Sequence, residues 1–117
     1  MIEKKYRFHS RGGVRFVYQN GKTIRGPKMS LVFCENTRGF TRFAVVVSKK
    51  VNKTAVVRNR IRRRVYEIIR QNIDDVPKKM DYIFVVFSPE VKDMNYKELE
   101  KNIGKLVAES KVCYNGK

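Results

Sequence analysis

Apolar residues recur at two different spacings along the chain, and these spacings predict its secondary structure. Three segments place apolar side chains three or four positions apart, the period of a helix packed on a core. Three shorter segments are nearly continuous apolar or β-branched runs, which favour buried strands. The predicted helices cover 10–19, 55–72 and 95 onward, and the predicted strands cover 29–35, 40–48 and 82–87. The basic stretch 22–28 allows one further short strand.

The order of these elements is α-β-β-α-β-α, which predicts an α+β protein, a single-domain α/β sandwich around a small mixed sheet. The turn signal Asn36–Gly39 predicts that the first two strands form a hairpin. The chain has 117 residues, of which 42% are hydrophobic, so it has the size of one domain with a real core. We expect residues 1–117 to form one domain, with residues 1–9 as a flexible basic arm.

The second predicted helix is unusually rich in arginine, which fills five of the seven positions from Arg58 to Arg64. An apolar stripe wide enough to dock on a core follows one side of this helix, at Val57, Ile61, Val65, Ile68 and Ile69. The arginines cover the remaining surface and repel one another. Because a guanidinium is a planar fork of donors that matches phosphate oxygens, an anionic partner would relieve this repulsion. The pattern favours nucleic-acid binding over a solvated charged face.

The positive charge is large and lies in one part of the chain. The formal net charge is +16 and the sequence pI is about 10.2. Residues 1–70 hold the whole excess, whereas residues 71–117 carry eight basic and eight acidic side chains. A polyphosphate backbone requires such an excess, and a small-molecule substrate does not. We therefore expect a protein with one strongly basic side and no small-molecule substrate.

Nothing in the sequence indicates export, a membrane partner or catalysis by the protein itself. We see no signal peptide and no apolar run approaching 18 residues, so we expect a cytoplasmic protein. The two cysteines, Cys34 and Cys113, suit neither a disulfide framework nor a metal site. His9 is the only histidine and lies in the basic arm, and Asp74-Asp75 read as solvated acids. The sequence therefore predicts no catalytic and no metal-binding residue.

Several short motifs resemble those of the bacterial ribonuclease P protein family. The most specific is Ser48-Lys49-Lys50, followed by Ala55 and then by Arg58-Asn59-Arg60-Ile61-Arg62-Arg63. Weaker similarities are Tyr18-Gln19-Asn20-Gly21 at the end of the first helix and Asp81-Tyr82 before the last strand. Length, basicity and element order also fit, so the resemblance spans about residues 6–110.

The resemblance implies that the chain is the protein subunit of a ribonucleoprotein enzyme. That enzyme, ribonuclease P, hydrolyses one phosphodiester bond and thereby removes the 5′ leader of precursor tRNA. The RNA subunit carries out the chemistry and holds the catalytic Mg2+, so the implied partners are this catalytic RNA and precursor tRNA. The family fold also implies a left-handed βαβ crossover, which is opposite to the usual hand.

Two RNA sites within this single RNA-binding domain follow from the resemblance and from the outward-facing arginines. The RNA-binding set of the helix and its lead-in comprises Lys49, Lys50, Lys53, Arg58, Asn59, Arg60, Arg62, Arg63 and Arg64. The leader-binding cleft, between the first helix and a sheet face, comprises Val14, Tyr18, Phe33 and Tyr66. Val14 stands where the family has an aromatic residue. Tyr66 and Phe87 stand where many members have a basic one, so we expect leader contacts to depend more on stacking.

Three other functions stay open on the sequence alone. A structural RNA-binding protein would share the basic helix without needing the motif that runs from Ser48 to Arg63. A stand-alone metal nuclease would need clustered acidic ligands, and the acids here are scattered. A DNA-binding protein would read a groove with its helix and would prefer duplex DNA to structured RNA.

Overall fold

The computed structural model describes the backbone of residues 11–36, 41–71 and 80–115, and the side chains of residues 15–111 within those ranges. In chain order the elements are α1 (Arg11–Asn20), β1 (Lys22–Arg25), β2 (Met29–Glu35), β3 (Arg42–Val47), α2 (Ala55–Gln71), β4 (Met80–Val86), a 3₁₀ helix (Pro89–Lys92) and α3 (Tyr96–Asn115). These bounds confirm the predicted helices and strands, including the short strand allowed at 22–28. None of the described helices is both long and apolar enough to cross a membrane.

β4 occupies the middle of the sheet, whose strand order is β1-β2-β4-β3. β2 pairs antiparallel with β1 and with β4, whereas β3 pairs in parallel with β4. The predicted hairpin between the strands at 29–35 and 40–48 is therefore wrong, because β4 lies between them. Six of the seven β4 side chains are buried. A strand this apolar is favoured in the interior of a sheet, between two neighbouring strands and with helices packed on both faces.

The true hairpin joins β1 to β2, and a short turn closes it. Within this turn the backbone N–H of Gly26 donates to the carbonyl of Met29 at 2.9 Å. A side chain at Gly26 would place its Cβ 2.8 Å from that same carbonyl oxygen, so the turn requires glycine there.

Side chains of the sheet alternate between two helical layers, as the pleat of a strand requires. The main core cluster lies under α2 and α3, and from the two central strands it includes Leu31, Phe33, Tyr82 and Phe84. The smaller cluster lies under α1 and contains Val17, Val32, Ala44 and Ile83. Helices thus cover both faces of a mixed sheet, which confirms the predicted α+β sandwich.

The basic helix α2 connects two strands that are parallel neighbours, so β3, α2 and β4 form a βαβ crossover. The left-handed sense of this crossover, which the resemblance implies, stays a prediction. Ile61, Val65 and Ile68 are at most 1% exposed and dock α2 on the sheet. Their burial fixes the rotation of the helix and so decides which arginines face solvent.

A buried ion pair holds β3 against β4 at one end of the sheet. The carboxylate of Asp81, which is 5% exposed, accepts hydrogen bonds from Arg42 Nε at 2.9 Å and from a terminal guanidinium nitrogen of Arg42 at 2.8 Å. The side-chain amide of Asn36 donates to the same carboxylate at 2.8 Å. This cluster explains why an aspartate can lie inside the sheet, because its charge is neutralised and its oxygens are hydrogen-bonded.

Candidate nucleic-acid interface

The outer face of α2 presents two unengaged guanidinium groups. Arg60 and Arg63 are exposed, and within the described residues neither makes a hydrogen bond or an ion pair. They face solvent because the apolar stripe of the helix is buried on the opposite side. Two arginines whose donors are unused and point to solvent are available to bind phosphate oxygens.

The lead-in loop before α2 adds three exposed ammonium groups, those of Lys49, Lys50 and Lys53. Val51 is buried in the core and anchors the loop, while the side chain of Asn52 accepts a hydrogen bond from the N–H of Thr54 at 2.9 Å. Arg58 donates to the carbonyls of Asn52 and Lys53 at 3.0 and 2.9 Å. Arg58 therefore fixes the position of the loop and its lysines, besides carrying charge of its own.

The remaining arginines of the predicted set are engaged by the protein. The Arg64 guanidinium donates to the carbonyls of Val91 and Lys92 at 2.9 and 3.1 Å and also to that of Met94. These carbonyls belong to the 3₁₀ helix and the segment after it, so Arg64 ties α2 to the start of α3. Arg62 donates to the side-chain oxygen of Asn59 one turn earlier. Helical periodicity places a residue on a face, but it does not tell how far a long side chain reaches.

A shallow hollow lies between the outer face of α2 and the first turn of α3. Its volume is about 410 Å3, and it is lined by Arg60, Arg63, Arg64, Glu67 and Tyr96. The Tyr96 ring is 39% exposed, and its hydroxyl donates to the side-chain oxygen of Gln71 at 2.6 Å. The sequence reasoning missed Tyr96 as a site residue, because it lies more than 30 positions from the arginines in the sequence.

The acidic member of the hollow is already paired. Glu67 accepts a hydrogen bond from Arg70 Nε at 3.2 Å on the same helix. Hydrogen bonding from Arg70, reinforced by its charge, holds the pKa of the Glu67 carboxyl below its usual value. The same interaction raises the pKa of the Arg70 guanidinium. The pair stays ionised at neutral pH, and the local field of the hollow is set by Arg60 and Arg63.

On the opposite face of the sheet, α1 exposes aromatic surface. Tyr18 is 46% exposed and Phe16 is 56% exposed, while Val17 between them is fully buried against the sheet. Partial burial raises the pKa of the Tyr18 hydroxyl, so it stays protonated at neutral pH. Nearer the β1–β2 turn, the Arg25 guanidinium lies 5.0 Å from the centre of the Phe87 ring, a cation–π contact.

The structure does not bring together the four residues assigned to the leader-binding cleft. Phe33 and Tyr66 are 3% and 4% exposed and belong to the main core cluster under α2 and α3, not to the α1 face. Neither ring offers an open face for a base, which corrects the expectation that both line the leader-binding cleft. They are buried because each continues the apolar pattern of its own element. The side chain of Val14 lies outside the described residues, as do His9, Asp74 and Asp75.

Comparison with known proteins identifies the family of this chain. The family model described as Ribonuclease P matches residues 2–111, nearly the whole chain. The chain belongs to the ribonuclease P protein family. The ribonuclease P protein component of a Pseudanabaena species is 34% identical over 116 residues, covering 97% of this chain and 98% of that protein. The component from Fusobacterium nucleatum is 34% identical over 104 residues, covering 86% of this chain and 93% of that protein.

Solved ribonuclease P proteins share the fold. The Staphylococcus aureus protein superposes with a TM-score of 0.80 at 23% identity, covering 92% of this chain and 96% of its own. The Thermotoga maritima protein superposes with a TM-score of 0.78 at 22% identity, covering 86% of this chain and 94% of its own. Ribonuclease P protein components are subunits of an endoribonuclease that acts in tRNA 5′ processing, and the catalytic RNA is a separate molecule. In general terms, family membership gives this chain that RNA and precursor tRNA as partners.

Proposed function

We propose that this chain binds the catalytic RNA of ribonuclease P through the outer face of α2 and its lysine-bearing lead-in. We further propose that it binds the 5′ leader of precursor tRNA along α1, and that it acts as one RNA-binding domain in the cytoplasm. The observation that carries the first assignment is the pair of exposed guanidinium groups on α2, those of Arg60 and Arg63, for which the described part of the chain supplies no partner. Mg2+ is bound by the RNA in this proposal, and the protein lowers the concentration required by neutralising phosphates.

Phosphate neutralisation gives the assembly a definite salt dependence. Each phosphate contact contributes about 0.7 to 0.9 to the slope of log affinity against log salt. If about five contacts form, tripling the salt concentration weakens binding by about 50- to 140-fold. The net charge of +16 and its confinement to the first 70 residues support contacts of this number.

Exposed aromatic rings on α1 support binding of a single-stranded leader. Phe16 and Tyr18 present ring surface on the helix that covers the second sheet face. Stacking of bases on such rings is tolerant of sequence, because every base has a π-face. That tolerance suits a protein whose precursor substrates carry different leaders.

Other nucleic-acid functions fit the described residues less well. Among them, no group of three or more His, Cys, Asp or Glu side chains is close enough to hold a metal ion, which is what a protein metal nuclease needs. A groove-reading DNA-binding helix is expected to offer free arginines and amides to base edges. On α2, Arg60 and Arg63 are available, but the side-chain oxygen of Asn59 is engaged by Arg62.

The decisive experiment is cleavage of precursor tRNA by a bacterial ribonuclease P RNA at low Mg2+, with and without this protein. We expect correct 5′ processing only when both are present. Cleavage by the protein alone would mean that the chain is itself a nuclease. Tight RNA binding without stimulation of any bacterial ribonuclease P RNA would mean a structural RNA-binding role.

A further inference from the structure

The hollow beside α2 differs from the rest of the basic surface because its walls are fixed. Arg64 forms one wall and is held by three backbone carbonyls of the segment 91–94. Tyr96 forms another part of the wall, and its hydroxyl is held by Gln71 at 2.6 Å. A site whose walls are already ordered loses little conformational entropy when a ligand enters. Its volume of about 410 Å3 lies within the range of small-ligand pockets.

Charge is unevenly distributed along the hollow. Arg60 and Arg63 lie toward the N-terminal end of α2 and have no partner among the described residues, so this end attracts an anion. Glu67 lies one turn further along, and its carboxylate is paired with Arg70, so the other end carries less net positive charge than the end with Arg60 and Arg63. Tyr96 lies at that other end, because its hydroxyl bonds to Gln71 at the last turn of α2. The hollow therefore has a cationic end for a phosphate and an aromatic end for a base.

We propose that this hollow binds a single nucleotide of the catalytic RNA, with the phosphate on Arg60 and Arg63 and the base stacked on Tyr96. This proposal rests on the function proposed above, and it adds a base-binding residue to a surface that otherwise contacts only the RNA backbone. The catalytic RNA is the source of the nucleotide because α2 and α3 cover one face of the sheet. The aromatic surface of α1, which we assign to the leader, lies on the other face.

Tryptophan fluorescence tests this directly, since the chain contains no tryptophan. The Tyr96→Trp variant places one fluorophore in the hollow. The Phe87→Trp variant is its matched control, because Phe87 is equally exposed, at 38%, and lies against Arg25 outside the hollow. Titration with catalytic RNA alone is expected to quench the first variant by base stacking and to leave the control largely unchanged.

Three results of the titration would overturn the proposal. Unchanged emission from the Tyr96→Trp variant at saturating RNA, or equal quenching of both variants, would mean that no base enters the hollow specifically. Quenching by precursor tRNA alone, and not by the catalytic RNA, would mean that the nucleotide comes from the substrate. If the wild-type protein does not bind the catalytic RNA at all, the function proposed above fails, which is a different result from tight binding without quenching.

Affinity measurements on two further variants separate the ring from its hydroxyl. The Tyr96→Leu variant is expected to bind the catalytic RNA roughly ten-fold more weakly, the size of one lost base–aromatic stack. The Tyr96→Phe variant keeps the ring and is expected to bind within about two-fold of wild type. Melting temperatures of both variants equal to that of the wild-type protein would show that the fold is unchanged. If the Tyr96→Leu variant then bound as tightly as wild type, stacking on Tyr96 would be refuted.

Discussion

Asp81 is the one buried carboxylate among the described residues, and it joins three parts of the sheet. Its partners Arg42 and Asn36 come from β3 and from the end of β2, so the cluster spans the β2–β4–β3 region. The side chains of Arg42 and Asp81 are 15% and 7% exposed, so water cannot replace either partner easily. Removal of one partner would leave the other charge buried without this ion pair.

We expect the Asp81→Ala variant to lose about 3–5 kcal/mol of unfolding free energy, because the buried Arg42 guanidinium loses both of its hydrogen bonds to this carboxylate. Urea denaturation measures this loss. The matched control is Glu90→Gln, which breaks the exposed Lys28–Glu90 ion pair and is expected to cost about 1 kcal/mol or less. Equal losses for the two variants would show that the Asp81 cluster contributes no more than a surface pair.

Arg63 and Arg64 are neighbours in sequence and are expected to give opposite results on substitution. Arg64→Ala removes hydrogen bonds to three backbone carbonyls and is expected to cost about 1–3 kcal/mol of stability. Arg63→Ala removes an exposed charge that has like charges nearby, so stability should be unchanged or slightly higher. Thermal unfolding of the two variants tests this difference, and RNA affinity should fall for Arg63→Ala.

Sequence periodicity was sufficient to find the buried side of α2 but not the role of each residue. It identified the apolar stripe because the positions of Ile61 and Val65 follow directly from 3.6 residues per turn. It could not show that Arg64 reaches the 3₁₀ helix, since that contact depends on how two distant segments pack. The family resemblance put Tyr66 in the leader-binding cleft, whereas its side chain is buried in the core.

At the scale of elements, two glycines distinguish a tight junction from an open helix surface. Gly21 ends α1, where its N–H donates to the carbonyl of Val17 at 2.7 Å. A Cβ added there would lie 2.5 Å from the Val17 oxygen and 2.6 Å from the Phe33 oxygen, both of which are backbone atoms. Gly104 lies within α3, and a Cβ there would meet nothing within 4 Å.

Alanine at these two glycines should therefore change stability in opposite directions. We expect Gly21→Ala to destabilise the protein by more than about 1 kcal/mol, because the α1–β1 junction and β2 must move apart. We expect Gly104→Ala to stabilise it by about 0.5–1 kcal/mol, the usual gain for an exposed helix interior. Chemical denaturation followed by circular dichroism measures both changes, and destabilisation by Gly104→Ala would contradict this account.

The pairing of the strands was the main feature of the fold that the sequence left undetermined. Turn residues at 36–39 suggested a hairpin, and a local signal of that kind cannot reveal a strand that arrives 40 residues later. The apolar composition of β4 was visible in the sequence and is what places it centrally. Composition indicates burial, but it does not specify which neighbours a strand acquires.

For the whole molecule, the two faces of the sheet are expected to separate two kinds of RNA binding. The Arg60→Ala, Arg63→Ala double variant should weaken binding of the catalytic RNA and lower its log–log salt slope by about 1.4–1.8. Tyr18→Leu should leave that binding unchanged and weaken binding of precursor tRNA that carries a leader. Binding assays with catalytic RNA, leader-bearing tRNA and leaderless tRNA test both expectations. If the Tyr18→Leu variant lost as much affinity for leaderless tRNA as for the precursor, the assignment of Tyr18 would be refuted.

The central position of β4 has a consequence for how the protein is made. Within the described sheet, β3 pairs only with β4, and the pairing of Met29 with Val86 spans 57 positions of the chain. Contacts this distant form late and slowly. During synthesis the lysine-bearing loop and the arginine helix therefore leave the ribosome before the strand that completes their docking surface. The most positively charged part of the chain is therefore made before the strand that completes the core beneath it.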